Sequence, residues 1–478
     1  MRINSKPMLV FRKTDSTFAA VHLFMAHASH LLNSFNMKKF VLPMVLFLIS
    51  NVAFSQKTAA EFFEEGVAKL KSGDFTSAVG AFNQAIVLSP ENMASYFNRG
   101  VAKAQLKDNR GSILDFDRSI EIDPKYADAY LNRGISKSRQ DDHRSAIQDF
   151  TRSIELSPDD PQGYFYRGSS RAKIENNRGA LLDFNKAIQV DANNVGALYS
   201  RGNVKLKLED FTGAQTDFSR VIDLSPKRGM AYAGRGYAKV KLNDFNGAIA
   251  DYGKAIEMNP DDSESFYQRG FARSKVDKFE EAINDYNRAV QLDPQNYRAH
   301  YGRGFCYTKL GNQKDAISDL TKAIEMNNTT TDSKVFYSGP ITRATLDELR
   351  NAVQERNKIN EISNERSEAF FVRAVSKNKQ GDSKGAIIDL NKSIEFNPTY
   401  AEAYFTRGLI KSTIGDQKGA IQDCNSSAKL NPRYAEAFYV RGVIKHSLGD
   451  ENGGCLDLSK AGELGYTQAY KVISDYCN

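Results

Sequence analysis

The sequence of 478 residues lacks any apolar run of the roughly 18 residues that a membrane-spanning helix requires. It holds only 4 cysteines, without a C-x-x-C pair or the spacing of zinc ligands. Three histidines follow residue 55, namely His143, His300 and His446, and no H-E-x-x-H, G-x-S-x-G or phosphate-loop pattern occurs. These absences predict a protein that has no membrane-spanning domain, no metal site, no cofactor and no enzymatic activity.

An excess of charge of one sign is also missing from most of the chain. The formal net charge is +7, but residues 1–55 hold six basic side chains against a single acidic one. The remaining residues carry 59 basic and 57 acidic side chains. A nearly neutral body attracts polyanions weakly at long range, which argues against nucleic acid or anionic lipid as the principal partner.

The N-terminal part has the pattern of a secretory signal peptide. Two lysines follow Met37, an apolar stretch runs from Phe40 to Ile49, and small residues occupy positions 53 and 55. This order predicts a signal peptide over 37–55 that is cleaved before Gln56. An uncleaved anchor is the weaker alternative because the apolar stretch is short. Export past the inner membrane would place the protein where disulfides persist.

One unit is repeated along the rest of the chain. An Arg recurs every 34 residues, almost always followed by Gly, and Glu65 stands in its place in the first copy. Pro closes most units at the same step. The Arg positions are Arg99, Arg133, Arg167, Arg201, Arg235, Arg269, Arg303, Arg373, Arg407 and Arg441. The eleven units resemble the tetratricopeptide repeat family, and the resemblance covers the chain from about Ala59 to its C-terminus.

Each unit predicts two antiparallel helices. Within 130–156 one apolar helical stripe stops at Asp141, and a second begins at Ser145. Neither helix buries its apolar face alone, so neighbouring units must stack. The resemblance therefore implies an all-α fold of tandem helix-turn-helix repeats stacked into a right-handed superhelical solenoid.

The repeat also predicts the order of the domains. Units 1–8 occupy 56–326, units 9–11 occupy 367–463, and a capping helix follows over 464–478. The segment 327–366 interrupts the period and combines an irregular loop with a helix. It is either a degenerate repeat or a functional insertion, and the sequence leaves both open. We expect 1–36 to be an extension ahead of a misassigned start.

Two polar columns run through the units. An Asp follows each repeated Arg by 16 residues, with Ala81 as the exception in the unit of Glu65. In an antiparallel hairpin the Arg of the first helix and the Asp of the second helix lie opposite one another. We predict structural pairs, such as Arg201 with Asp217, rather than ligands for a partner. A basic residue four positions after the Arg, missing only at Tyr307, is predicted to be structural as well.

Two adjacent aromatic columns precede the Arg. Neighbouring helix residues point about 100° apart, so only one column packs between helices. By resemblance to the family, the other faces a concave surface, where aromatic side chains suit protein contacts. The alternative that both columns are core stays open. The predicted concave-face residues come from the concave-facing column and from the positions one helical turn after it. They are Phe97, Val101, Leu131, Ile135, Phe165, Tyr199, Asn203, Tyr237, Tyr267, Phe271, Tyr301, Phe305, Phe371 and Phe405.

The chain end predicts a disulfide between Cys455 and Cys477. The two residues lie on opposite sides of a predicted turn near 464–465, and an antiparallel hairpin brings them opposite one another. Two free thiols are the alternative. Cys306 and Cys424 fall on packing positions of distant units and are predicted to be small buried residues.

We therefore predict an exported, non-catalytic scaffold that binds a protein or an extended peptide in its concave face. Resemblance to exported bacterial members of the family suggests assembly with envelope proteins, in the periplasm, at the outer membrane or after secretion. The alternative is a polyanion or glycan binder. That alternative would use Lys173, Lys207, Lys241, Lys275 and Lys309.

Overall fold

The structure is a computed structural model that describes residues 57–328 and 346–477, with side chains over 57–326 and 360–477. These residues form 23 α-helices, and no β-strand occurs among them. Consecutive helices pack as antiparallel pairs. The prediction of an all-α fold built from tandem helix-turn-helix repeats is confirmed.

Several sequence predictions concern residues outside the described ranges. The extension 1–36, the signal peptide 37–55 and the cleavage site before Gln56 lie outside the described residues. The same holds for 329–345, which is the predicted loop of the interrupted segment. Within the described part, every helix is too short or too polar to cross a lipid bilayer.

The chain divides into two compact units after Leu224. In the first unit, five helical hairpins follow one another. Their helices are α1 (Ala59–Ser72), α2 (Phe75–Leu88), α3 (Met93–Gln105), α4 (Asn109–Ile122), α5 (Ala127–Ser138), α6 (His143–Leu156), α7 (Pro161–Lys173), α8 (Asn177–Val190), α9 (Val195–Lys207) and α10 (Phe211–Leu224).

The second unit holds six hairpins and a short final helix. Its helices are α11 (Gly229–Lys241), α12 (Phe245–Met258), α13 (Ser263–Ser274), α14 (Phe279–Leu292), α15 (Tyr297–Leu310), α16 (Gln313–Asn328), α17 (Leu346–Lys379), α18 (Ser383–Phe396), α19 (Ala401–Thr413), α20 (Gln417–Leu430), α21 (Ala435–Ser447), α22 (Glu451–Glu463) and α23 (Gln468–Tyr476).

The turn inside every hairpin has the same backbone conformation. The residue eight positions after the repeated Arg, or after Glu65 in the first hairpin, lies in the left-handed region. Gly occupies this position in five hairpins. The other six hairpins place a side chain there, at φ of 58 to 64°: Lys107, Asp141, Glu175, Glu209, Asn243 and Asp277.

Small residues allow the two helices of a hairpin to approach closely. A Cβ atom at Gly100 would lie only 2.8 Å from the ring of Phe116, and Gly134 meets Phe150 in the same way. These rings are fully buried, as are the small residues one turn before them, Ser112 and Ala146. The repeated Gly is therefore required because the ring of the second helix packs directly against the backbone of the first.

The helix α17 departs from the repeat. It runs without a break for 34 residues and so crosses the predicted boundary between 327–366 and 367–463. The physical reason is in the sequence, because neither Gly nor Pro occurs between Leu346 and Lys379. The helix of the interrupted segment and the first helix of the ninth hairpin are therefore one element, and it packs against α15, α16 and α18.

Candidate functional site

All ten predicted Arg–Asp pairs form in the structure. In the pair named above, Arg201 donates from Nε to Asp217 Oδ2 at 2.9 Å and from Nη2 to Oδ1 at 2.6 Å. The Asp side chains are 2 to 7% exposed. Buried carboxylates need such partners because an unpaired charge is costly to remove from water. The column is therefore part of the hairpin interior and is not available to a partner.

The second basic column contacts the same Asp residues. In nine hairpins the Lys or Arg four positions after the repeated Arg lies 2.7 to 2.9 Å from the Asp Oδ2. Lys205 Nζ, for example, lies 2.9 Å from Asp217. Each of these carboxylates is thus shared between two cations.

The hairpin of α15 and α16 uses a different second partner. Tyr307 occupies the basic position there, and the second contact to Asp319 comes from His300, whose Nδ1 lies 3.0 Å from Oδ1. Burial raises the pKa of the Asp319 carboxyl, but the hydrogen bonds from Arg303 and His300 outweigh burial and hold this pKa below its usual value. The sequence analysis missed this role of His300.

Four predicted concave-face residues are core residues instead. Phe97, Val101, Leu131 and Ile135 are 2 to 7% exposed. Phe97 packs on Phe116 of its own hairpin and is covered from the next hairpin. Leu131 and Ile135 pack around Phe150. The prediction is wrong for these four, because neighbouring helices close over the positions and leave too little surface for a partner.

The other ten predicted residues are half-buried, so each keeps part of its side chain accessible. Four of them line one cavity of the second unit. These four are Tyr267, Phe271, Tyr301 and Phe305. The remaining six are Phe165, Tyr199, Asn203, Tyr237, Phe371 and Phe405.

The cavity has a volume of about 430 Å³ and lies where α13, α15 and α17 adjoin. Aromatic side chains from α13 and α15 line it together with Tyr286 of α14. Ile324 of α16 and Ala369 of α17 add to the apolar part of the lining. Polar and charged side chains of α15 and α17 line the cavity as well, and a combination of aromatic and polar groups suits a peptide segment.

Hydrogen bonds between α15 and α17 fix one rim of the cavity. Tyr297 donates its hydroxyl to Glu365 at 2.5 Å, and Arg298 lies 3.0 Å from the same carboxylate. Tyr301 donates to Glu368 at 3.3 Å. Burial, and next the hydrogen bond to Glu365, raise the pKa of Tyr297, so its hydroxyl stays protonated and able to donate.

Two lysines of the cavity lining lie over aromatic rings. Lys275 Nζ is 5.1 Å from the ring centre of Phe271, and Lys309 Nζ is 5.3 Å from that of Phe305. Lys241 has the same relation to Tyr237 in the preceding hairpin, at 5.5 Å. Three of the five lysines proposed for polyanion binding therefore belong to the aromatic surface rather than to a separate basic face.

The cysteines fall into two groups. Cys455 and Cys477 form a disulfide, with their Cα atoms 5.7 Å apart. Cys306 and Cys424 are buried free thiols, and burial raises the pKa of each to about 12. The described residues contain no cluster of side chains suited to hold a metal ion.

Family models match the chain in several places. One described as "TPR repeat" and two described as "Tetratricopeptide repeat" align with single or paired repeats. The matched residues are 236–277 and 276–311 for the first, and 63–127, 127–160, 297–330 and 401–434 for the others. No curated protein is significantly similar to the chain.

Solved structures of repeat proteins resemble parts of the chain. YrrB, a TPR protein with an unusual peptide-binding site, is 26% identical over 37% of this chain and 91% of its own, with a TM-score of 0.35. A tetratricopeptide repeat protein from Parabacteroides merdae is 18% identical over 51% of this chain and 97% of its own, at a TM-score of 0.39. The C-terminal part of a TPR repeat-containing protein from Cytophaga hutchinsonii is 18% identical over 50% of this chain and 98% of its own, at 0.43.

Proposed function

The chain belongs to the tetratricopeptide repeat family, and from this premise we propose that it is a non-catalytic scaffold that binds an extended segment of another protein in the cavity between α13, α15 and α17. Repeat proteins of this kind present extended surfaces to their partners. The cavity lies in the second unit and is lined by aromatic side chains of α13 and α15.

The observation that carries the proposal is the convergence of partly exposed aromatic side chains on one cavity. Phe271 is half-buried and lines the cavity together with Tyr267 and Tyr301. Half-buried aromatic residues present large rigid contact areas at a small entropic cost. A partner side chain that entered the cavity would bury these rings further and gain their contact area.

Two features support a role without catalysis. The buried thiols of Cys306 and Cys424 have a raised pKa and so are weak nucleophiles. The carboxylates of Glu365 and Glu368 at the cavity rim accept hydrogen bonds from tyrosines of α15. Their contacts fix the position of α17 and provide no paired acid and base for a reaction.

Export and a place in the cell envelope are part of the proposal. The predicted signal peptide over 37–55 supports it. The disulfide between Cys455 and Cys477 is a second support, since disulfides persist in oxidising compartments. The final compartment would then be the periplasm, the outer membrane or the exterior, with an envelope protein as partner.

Site-directed crosslinking tests the proposed cavity. Benzoylphenylalanine is placed at Phe271, and at Leu114 as the control, because Leu114 is an exposed apolar residue of the first unit. Irradiation of living cells should join position 271 to one segment of one partner, which peptide mapping identifies. Position 114 should give no such product.

A substitution completes the test. Phe271→Ala should abolish the crosslink from a second cavity position, Tyr301, while Leu114→Ala leaves it unchanged. The melting temperature of Phe271→Ala should stay near that of the unaltered protein. Equal crosslinking from positions 271 and 114, or a large fall in the melting temperature, would show that Phe271 is core and not a binding residue.

A further inference from the structure

Three consecutive hairpins of the second unit repeat one small arrangement. In each, a lysine at the C-terminal end of the first helix or at its C-cap lies over the aromatic ring four residues before it, at 5.1 to 5.5 Å from the ring centre. We call the three pairs the lysine–ring strip: Tyr237 with Lys241, Phe271 with Lys275, and Phe305 with Lys309. The helices α11, α13 and α15 that carry them contact one another in sequence.

The lysines of the strip have no acidic partner among the described residues. Lys241, Lys275 and Lys309 are exposed and form no ion pair there. This separates them from the other basic column, in which Lys239, for example, lies 2.8 Å from Asp251. Cations held over rings and free of carboxylates are available to an anionic ligand.

The carboxylates beside the cavity are already engaged, with one exception. Glu365 binds Arg298 and Tyr297, and Glu368 accepts from Tyr301. The exception is Asp277, an exposed carboxylate at the edge of the cavity. Most of the charged groups at the strip that lack an ion-pair partner among the described residues are therefore positive. This predicts a negatively charged ligand.

The repeat spacing sets where the negative charges of a ligand should fall. Packed helices lie about 8 to 10 Å apart, and an extended chain advances about 3.3 Å per residue. Charges that meet successive lysines of the strip are then about three residues apart along an extended peptide. The side chains between them would lie against the aromatic rings and in the cavity.

We infer that the lysine–ring strip recognises an internal acidic segment of the partner, with Asp or Glu at about every third residue and an apolar or aromatic side chain between them. This inference rests on the proposed peptide binding and adds the chemistry of the bound segment. The segment lies extended across α11, α13 and α15. Its side-chain carboxylates, rather than its C-terminus, contact Lys241, Lys275 and Lys309.

A peptide array on the full chain tests this inference. The array holds random twelve-residue peptides with both ends blocked, so that no terminal carboxylate contributes. Bound peptides should be enriched in Asp or Glu at a spacing of three, and replacement of these residues by Asn or Gln should weaken binding about tenfold. Binding should also weaken as salt is raised.

Matched variants separate the strip from the general charge. Lys275→Met with Lys309→Met should weaken binding of the enriched peptides about tenfold. Lys173→Met with Lys207→Met, at the same repeat positions of the first unit, should leave it unchanged. Circular dichroism of both variants should match the unaltered protein, since all four lysines are exposed at the surface.

Each result has a distinct meaning. Enrichment of neutral or basic peptides, or unchanged binding in the Lys275/Lys309 variant, overturns the acidic segment and leaves the proposed peptide binding in place. Peptides that bind equally well to Phe271→Ala overturn the proposed function itself. Strip-dependent binding of dextran sulfate without any enriched peptide would assign the lysines to an anionic polysaccharide and also overturn the inference.

Discussion

Each Asp of the ten Arg–Asp pairs is a buried carboxylate held by two donor side chains, and the second donor differs between hairpins. In nine hairpins it is Lys or Arg, so two cations surround one anion. In the hairpin of α15 and α16 it is the imidazole of His300. His300 takes the sequence position that is aromatic in most other hairpins, and so combines a packing role with a hydrogen bond.

This substitution pattern predicts a compensating pair of variants. His300→Phe installs the residue found at the equivalent position 266 and removes one donor from Asp319. We expect a loss of about 1 to 3 kcal/mol in the free energy of unfolding, because a hydrogen bond to a buried charge is lost. Adding Tyr307→Lys should restore most of it by supplying the usual lysine. Urea unfolding of the three proteins measures both steps.

The control uses a hairpin that already has its lysine. Tyr232→Phe changes the same column beside Asp251, which keeps Arg235 and Lys239 as partners. Tyr232→Phe should lower the free energy of unfolding much less than His300→Phe does. If His300→Phe is equally mild, or if Tyr307→Lys recovers nothing, His300 does not act as the second donor of Asp319.

The repeated positions in the sequence predicted the Arg–Asp pairs correctly, but they did not predict which residues of the aromatic columns are buried. Arg and Asp occupy fixed positions relative to one turn, so a single hairpin determines their contact. Burial of an aromatic residue also depends on the next hairpin, as where Tyr126 packs on Phe97 with 4.9 Å between the ring centres. A signal for His300 was present, because Tyr307 in the same unit is the single gap in the basic column.

At the scale of the helical element, the hairpin turns carry strain in six places. A residue with a Cβ atom loses about 1 to 2 kcal/mol in the left-handed region. Five hairpins avoid this with Gly, as at Gly415, and others accept Glu, as at Glu175 and Glu209. The repeat therefore tolerates a local cost in the first unit that most of the later hairpins do not have.

Glu209→Gly should stabilise the turn between α9 and α10. We expect a gain of about 0.5 to 1 kcal/mol, because relief of left-handed strain exceeds the larger entropy that Gly loses on folding. Asn243→Gly should gain less, since Asn adopts this conformation readily. Gly415→Ala should lose about 1 kcal/mol. Unfolding midpoints in urea rank the variants, and a loss on Glu209→Gly would contradict the strain argument.

The repeat pattern did not predict that the helix of the interrupted segment and the first helix of the ninth hairpin form one continuous helix, α17. Its continuity follows from residues between Leu346 and Lys379 that never interrupt a helix. The cavity uses this continuity, because its lining includes Glu365, before the predicted boundary at 366, and Glu368, after it. Counting repeats located each hairpin, but a site built on the departure from the repeat required the structure.

At the scale of the whole molecule, each hairpin is stabilised by its contacts with the neighbouring hairpins. Each hairpin contacts mainly the ones beside it within its unit, so a terminal hairpin lacks one neighbour and opens first. At the C-terminal end α23 covers the last hairpin, with Tyr466 packed on Tyr439 at 4.7 Å and Tyr476 on His446 at 5.2 Å. The disulfide ties α23 to α22.

Reduction should therefore loosen one end of the protein and leave distant hairpins unchanged. A bridge between cysteines 22 positions apart stabilises by about 3 kcal/mol when it constrains the unfolded segment. Hydrogen exchange with and without reductant should show faster exchange in α21, α22 and α23. Exchange in α3 and α4 should not change, because these helices belong to the first unit and precede α21 by many hairpins in the sequence.

Counting thiols on denatured protein provides the chemical control. Without reductant, alkylation should label two cysteines, Cys306 and Cys424, and with reductant all 4. In the native state both free thiols should react slowly, because they are buried and their pKa is about 12. Four labelled cysteines without reductant, in protein purified from the cell envelope, would contradict both the bridge and the oxidising compartment. Two labelled cysteines with uniform exchange after reduction would leave the bridge in place and show that α23 stays docked without it.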